Sequence, residues 1–236
     1  MKVLIIKNKT TEGPGLLKGI LDSHGIGYDI ADLGRGEQFP DPGGYDALFV
    51  FGGPDSANDN TPKMKDELKR IRQALDADIP FLGVCLGMQA LVKAAGGEVV
   101  KNAVKETGWR GPDGGFFQME ATEEGETDPL FGGLPSLLPV FHLHGETVVL
   151  AEGMALLATG KHCTNQAVKV GERAYGIQGH LELTPPMLEE WMRHDPDLMP
   201  LDKDALRKDY AALRGMYEIS GTKLLENFLG IAGIIG

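Results

Sequence analysis

The chain has 236 residues, with 34 Asp and Glu against 23 Lys and Arg, a formal net charge of −11 that disfavours nucleic acid and anionic membranes as partners. A hydrophobic share of 42% is enough to bury a sizeable core. Two cysteines, Cys85 and Cys163, make no disulfide framework, and no apolar run reaches the roughly 18–20 residues of a membrane helix. A cytoplasmic location is therefore expected, and the four-residue apolar run at 3–6 is too short for a secretory signal.

Residues 3–6 read as a first buried parallel strand. The turn at 10–15 opens a helix whose Leu16, Leu17, Ile20 and Leu21 form one apolar face. Residues 28–33 and 47–51 read as strands two and three, the latter running directly into Gly52-Gly53-Pro54-Asp55-Ser56. A charged helix over 62–75 precedes a fourth strand at 81–84. That strand enters a sharp turn at Cys85 and a helix over 86–95. This alternation predicts an α/β fold with three layers, an open and mostly parallel sheet carrying helices on both faces. Ligands on such sheets sit beyond the carboxyl ends of the strands, where both Gly52-Gly53 and Cys85 fall.

After Gly97 the rhythm changes. Short strands are expected at 98–101, 116–121, 140–150, 166–170 and 174–177, giving antiparallel additions to the sheet in the second half. Thr184 and Pro185 suit the start of a helix, and further helices are expected at 202–217 and 222–229. No linker is evident, so 1–236 is read as a single domain with a helical C-terminal extension over 184–236. The apolar tail from Phe228 is read as a packing or association segment.

Gly83, Cys85 and Gly87 form G-x-C-x-G, the sulfur version of an elbow that carries a nucleophile on a strained strand-to-helix turn. The following helix would aim free N–H groups at the sulfur, favouring a thiolate and an oxyanion. A buried core cysteine is the rival reading of this segment alone. A thiol nucleophile needs a base and a group to orient it. His180 and Glu182, two apart near the last strand, would share one side of extended backbone. His180 could then take the thiol proton while Glu182 fixes its tautomer.

Taken together, Gly52-Gly53-Pro54, Cys85-x-Gly87-x-Gln89 and His180-x-Glu182 resemble the class I (triad) glutamine amidotransferases, in particular their GMP-synthase-type branch. The resemblance spans roughly residues 1–195 and implies a flavodoxin-like sheet. It implies a Cys85–His180–Glu182 triad that hydrolyses the side-chain amide of glutamine through a glutamyl thioester. It places the oxyanion between the backbone N–H groups of Gly53 and Leu86, and substrate contacts at Gly52, Gln89, His144 and Gly145. The expected ligand is glutamine or a γ-glutamyl compound, with no cofactor. No G-x-x-x-x-G-K-[ST] loop follows, so the resemblance implies ammonia passed to a separate synthetase subunit. A stand-alone γ-glutamyl hydrolase using the same triad is the alternative. A non-catalytic binding or regulatory protein is a third.

Two departures concern the pocket wall: Gly179 and Leu181 stand where the family pattern has an aromatic residue and a proline. A zinc site from His142, His144, His162 and Cys163 matches no standard ligand spacing, and no metal is expected.

Overall fold

The computed structural model describes all 236 residues. Four strands with continuous apolar runs form the parallel centre: β1 (Lys2–Lys7), β3 (Ala47–Val50), β4 (Phe81–Val84) and β11 (Ala174–Ile177). The strand β2 (Gly27–Asp32) lies parallel to β1 at one edge. On the other side, β10 (Ala167–Val170), β9 (Met154–Gly160), β6 (Gln118–Ala121) and β7 (Leu137–Pro139) continue the sheet antiparallel. The strand order is β2-β1-β3-β4-β11-β10-β9-β6-β7.

Both faces of the central strands are buried, because side chains alternate between two helical layers. Val3, Ile5, Phe49 and Leu82 face one core, closed by α1 (Leu16–Ser23), α5 (Pro185–His194) and α6 (Lys203–Ile231). Leu4, Ile6, Leu48 and Phe81 face the other, closed by α2 (Pro62–Asp76) and α3 (Leu86–Ala94). The helix α3 is buried along Leu86–Val92, which is why its sequence is apolar nearly all round. The tail is part of the core, with Phe228, Leu229 and Ile234 buried.

Four expectations are revised. Strand β9 and a short helix α4 (Glu123–Thr127) carry no strong sequence signal and are present. The strands β5 (Glu98–Gly108) and β8 (His142–Val149) leave the main sheet and pair with each other as a separate antiparallel ribbon. The two helices expected at 202–217 and 222–229 are one, because Gly221 does not break α6. A Cβ there would lie 2.1 Å from the Leu181 carbonyl oxygen, so the glycine serves a close crossing over the strand end. Thr184 and Pro185 do begin α5, though the Thr184 side chain makes no capping hydrogen bond.

Candidate functional site

Backbone geometry sets the elbow. Cys85 has φ +53 and ψ −108, one of only two non-glycine residues with positive φ, and its N–H donates to the Ile177 carbonyl (2.8 Å) at the end of β11. Such strain persists only where the surroundings fix it. The flanking glycines do that. A Cβ on Gly83 would lie 2.4 Å from the Gly87 carbonyl, and one on Gly87 only 2.0 Å from the Val50 carbonyl. The elbow is thus wedged against β3, and the G-x-C-x-G spacing is a packing requirement.

His180 and Glu182 arrive beside it from the end of β11. His180 Nδ1–H donates to Glu182 Oε1 (2.7 Å), and both side chains are buried. Burial opposes a charged imidazole. The Glu182 carboxylate outweighs it, helped by hydrogen bonds to the Cys85 thiol and to Glu182, and His180 is held well above the ordinary histidine range. The Cys85 thiol donates to the Leu143 carbonyl at 3.8 Å. Trp191 of α5 packs edge-on against the His180 ring, with centroids 4.9 Å apart, and its own indole N–H donates to the Thr11 carbonyl. The departure at Gly179 has a steric reason. A Cβ there would meet Val140 Cγ2 at 2.2 Å and His142 Cε1 at 2.8 Å, so no aromatic ring fits. Leu181 is buried in the core instead of stiffening the chain as proline would.

The β5–β8 ribbon lies across the strand ends and walls the cleft. Gln89 Nε2 donates to the Glu146 carbonyl (3.1 Å) and to Gln178 Oε1 (3.3 Å), tying α3 to that wall. Gly53, Leu86, Gln89, His144 and Gly145 all line one open cleft of about 650 Å³ around Cys85 and His180. Gly52 sits behind them, where a Cβ would touch His180 Cε1 and Cys85 Cβ at 3.1 and 3.3 Å. The cleft volume is that of an ordinary small-molecule site. Every residue singled out from the sequence for this site therefore lies in the cleft or against it.

Sequence reasoning missed one cluster. Glu12 is buried in the loop after β1, and a Cβ on Gly52 would lie 2.7 Å from its Oε2. Burial raises its carboxyl above the usual range, against the pull of His180 and Lys9. Lys9 bridges Glu12 (3.5 Å) and Asp195 (2.7 Å). The available signal was positional, since Glu12 follows a parallel strand's carboxyl end. Cys163 is no part of the cleft. It contacts Thr147 Oγ1 and is pushed up to about 11 by burial.

A strained thiol beside a buried His–Glu pair, on the carboxyl edge of a parallel sheet, can carry out acyl transfer from an amide. Comparison with known proteins places that chemistry in a family. The family model of glutamine amidotransferase class-I matches residues 33–194. The glutamine amidotransferase-like protein YfeJ of Salmonella typhimurium is 28% identical over 200 residues, covering 82% of this chain and 81% of that one. The glutamine-hydrolysing GMP synthase of Bacillus subtilis is 34% identical over 186 residues, covering 78% of this chain but only 30% of the synthase. A glutamine amidotransferase structure from Thermotoga maritima superposes with a TM-score of 0.85 at 26% identity, covering 97% and 98% of the two chains. The chain belongs to the class-I glutamine amidotransferases, a family of glutaminase-type enzymes. Its α/β sheet, antiparallel additions included, is the architecture of that family's solved structures. No helix is long and apolar enough to cross a membrane.

Proposed function

We propose that this chain hydrolyses the side-chain amide of glutamine with Cys85 as nucleophile, His180 as acid and base, and Glu182 as the group that orients His180. The observation that carries this reading is the positive-φ Cys85 elbow beside the 2.7 Å His180–Glu182 pair. The thiolate attacks the amide carbon, and the oxyanion sits between the N–H groups of Gly53 and Leu86. His180 passes a proton to the departing ammonia, and water then cleaves the glutamyl thioester with His180 as base. Gln89, His144 and Gly145 hold the substrate from the ribbon side. Because the GMP synthase match spans 30% of that enzyme, we assign the ammonia to a synthetase acting as a separate partner.

A second reading, hydrolysis of γ-glutamyl amides larger than glutamine, has its own observation. The charged Lys9–Glu12–Asp195 wall and the open cleft leave room beyond His180 for an amine larger than ammonia. One assay separates the two: purified protein with glutamine and with γ-glutamyl peptides, measuring ammonia, amine and glutamate. Glutamate and ammonia from glutamine, abolished in Cys85→Ser, is the expected result. Turnover of γ-glutamyl peptides alone selects the second reading, and full turnover by Cys85→Ser removes the nucleophile assignment.

A further inference from the structure

Behind the ribbon wall lies a cluster that the proposed reaction does not use. Glu106 on β5 and His142 and His144 on β8 are all buried, and one ligand atom from each lies within 4.8 Å of the others. Glu106 Oε2 is 2.9 Å from His144 Nε2 and 3.9 Å from His142 Nε2.

The hydrogen bonding here is incomplete in an informative way. His144 Nδ1 is 2.9 Å from the Glu146 carbonyl, which can only accept, so Nδ1 carries the proton. In the neutral ring, Nε2 then presents a lone pair to a carboxylate oxygen at 2.9 Å. Two acceptors at that distance repel unless a positive charge sits between them. A second proton on the ring would serve only if it pointed at the oxygen, yet Nε2 lies outside hydrogen-bonding geometry and has no partner. His142 Nδ1 is likewise buried without a partner. Glu106 has no Lys or Arg in range, only these two imidazoles. A buried carboxylate with no cation beside it is costly.

We propose that Glu106, His142 and His144 bind a divalent transition-metal ion of the zinc class. Two imidazoles and one carboxylate are a ligand set suited to such ions and poor for Mg²⁺ or Ca²⁺. A tetrahedral ion with bonds near 2.1 Å spaces its donors about 3.3 Å apart, and the two measured separations straddle that value. The outer contacts match as well. The Nδ1–H to carbonyl bond is the usual device for aiming Nε2 at a metal, and Gln166 donates to Glu106 Oε2 at 3.4 Å from a fully buried position. Gln166 Oε1 has no partner, leaving an oxygen for a metal-bound water. A cavity of about 310 Å³ lined by Glu106, Asp113, Phe117 and His162 gives an entry path from the side opposite the cleft. This set differs from the one weighed in the sequence: His162 turns to Asp113 and Cys163 to Thr147.

The ion would brace the strand on which the cleft depends. Between its two histidine ligands lies Leu143, whose carbonyl accepts from the Cys85 thiol. Phe141, one residue before them, exchanges both backbone hydrogen bonds with His180.

The test is independent of the reaction. Chelator-treated protein is titrated with Zn²⁺ by calorimetry and with Co²⁺ by visible absorption, in the wild type and in Cys85→Ser, Glu106→Gln and His142→Gln. One ion per chain is expected in the wild type and in Cys85→Ser, with a rise in Tm on adding Zn²⁺. Affinity should fall at least tenfold in Glu106→Gln and in His142→Gln. Absence of stoichiometric binding by the wild type overturns the proposal, since a proton then suffices between Glu106 and His144. Loss of the ion in Cys85→Ser moves the site to the reactive thiol, and full affinity in either of the other variants removes this ligand set.

Discussion

Glu182 is the residue through which the cleft's electrostatics are most directly tested. One of its oxygens accepts from His180, and the other is buried without a partner. Glu182→Gln keeps the shape but removes the charge that favours an imidazolium. We expect kcat to fall by about 10²–10⁴-fold. Because the carboxylate raises His180, its loss lowers that group, and the limb of the pH–rate profile reporting His180 moves to lower pH. A variant with wild-type kcat and an unmoved limb would show that His180 is oriented by something else. The pairing itself was readable from two residues spaced for one side of extended backbone. The neighbours were not: Trp191, which packs on the ring, and Glu12, buried beside Gly52, come from distant loops and helices.

At the scale of an element, the strand–elbow–helix unit makes an unusual prediction for glycine. Replacing Gly by Ala inside a helix ordinarily gains about 1 kcal/mol. At Gly87 the new methyl would lie 2.0 Å from the backbone oxygen of Val50 in the neighbouring strand, and backbone cannot step aside as a flexible side chain can. The clash wins, and Gly87→Ala should lose about 2–3 kcal/mol in urea denaturation. A stabilised Gly87→Ala would mean that the elbow is not wedged. Helix α2 carries a second test. Glu67 is buried, accepts from Asn8 Nδ2 (2.6 Å) through one oxygen and leaves the other unpaired. Burial pushes it up to about 7 from an ordinary 4.5, against that hydrogen bond. The folded chain therefore holds a proton that the unfolded chain releases. That contribution is full below about pH 4.5 and is lost as pH rises through about 7. Its size is about 3 kcal/mol at most. Glu67→Gln keeps the Asn8 acceptor and should be more stable than wild type at pH 8, with a flatter stability profile from pH 5 to 8. Parallel profiles for the two proteins would place the linkage elsewhere. Asn8 also packs under Gly53, where a Cβ would come within 2.5 Å of it, so the same change should leave KM for substrate little altered if that turn is rigid.

Over the whole molecule, the C-terminal helix proves to be part of the site's support although it lies beyond residues 33–194 of the family match. Tyr217 on α6 is fully buried, donates through its hydroxyl to the His180 carbonyl (2.9 Å) and accepts from Leu183 N–H (3.1 Å). Gly221, one turn on, lets the helix press against Leu181. Tyr217→Phe leaves a buried carbonyl and a buried N–H without that partner, a loss of about 1–3 kcal/mol. We expect a lower Tm together with reduced kcat, and a variant that loses neither would make α6 a passive cover.

The sequence by itself determined the elements with local signatures: the apolar runs of the parallel strands, the G-x-C-x-G elbow, and the His-x-Glu pair. Each follows from steric or periodic rules acting over a few residues, and so did the layered sheet they imply. Only the tertiary structure decided where the chain crosses itself. The departure of β5 and β8 into their own ribbon, the continuity of α6 through Gly221, and the meeting of Glu106 with His142 and His144 depend on contacts between segments far apart in sequence. No local pattern encodes such contacts, because the partner that supplies the carbonyl, the carboxylate or the empty space is fixed only when the layers pack.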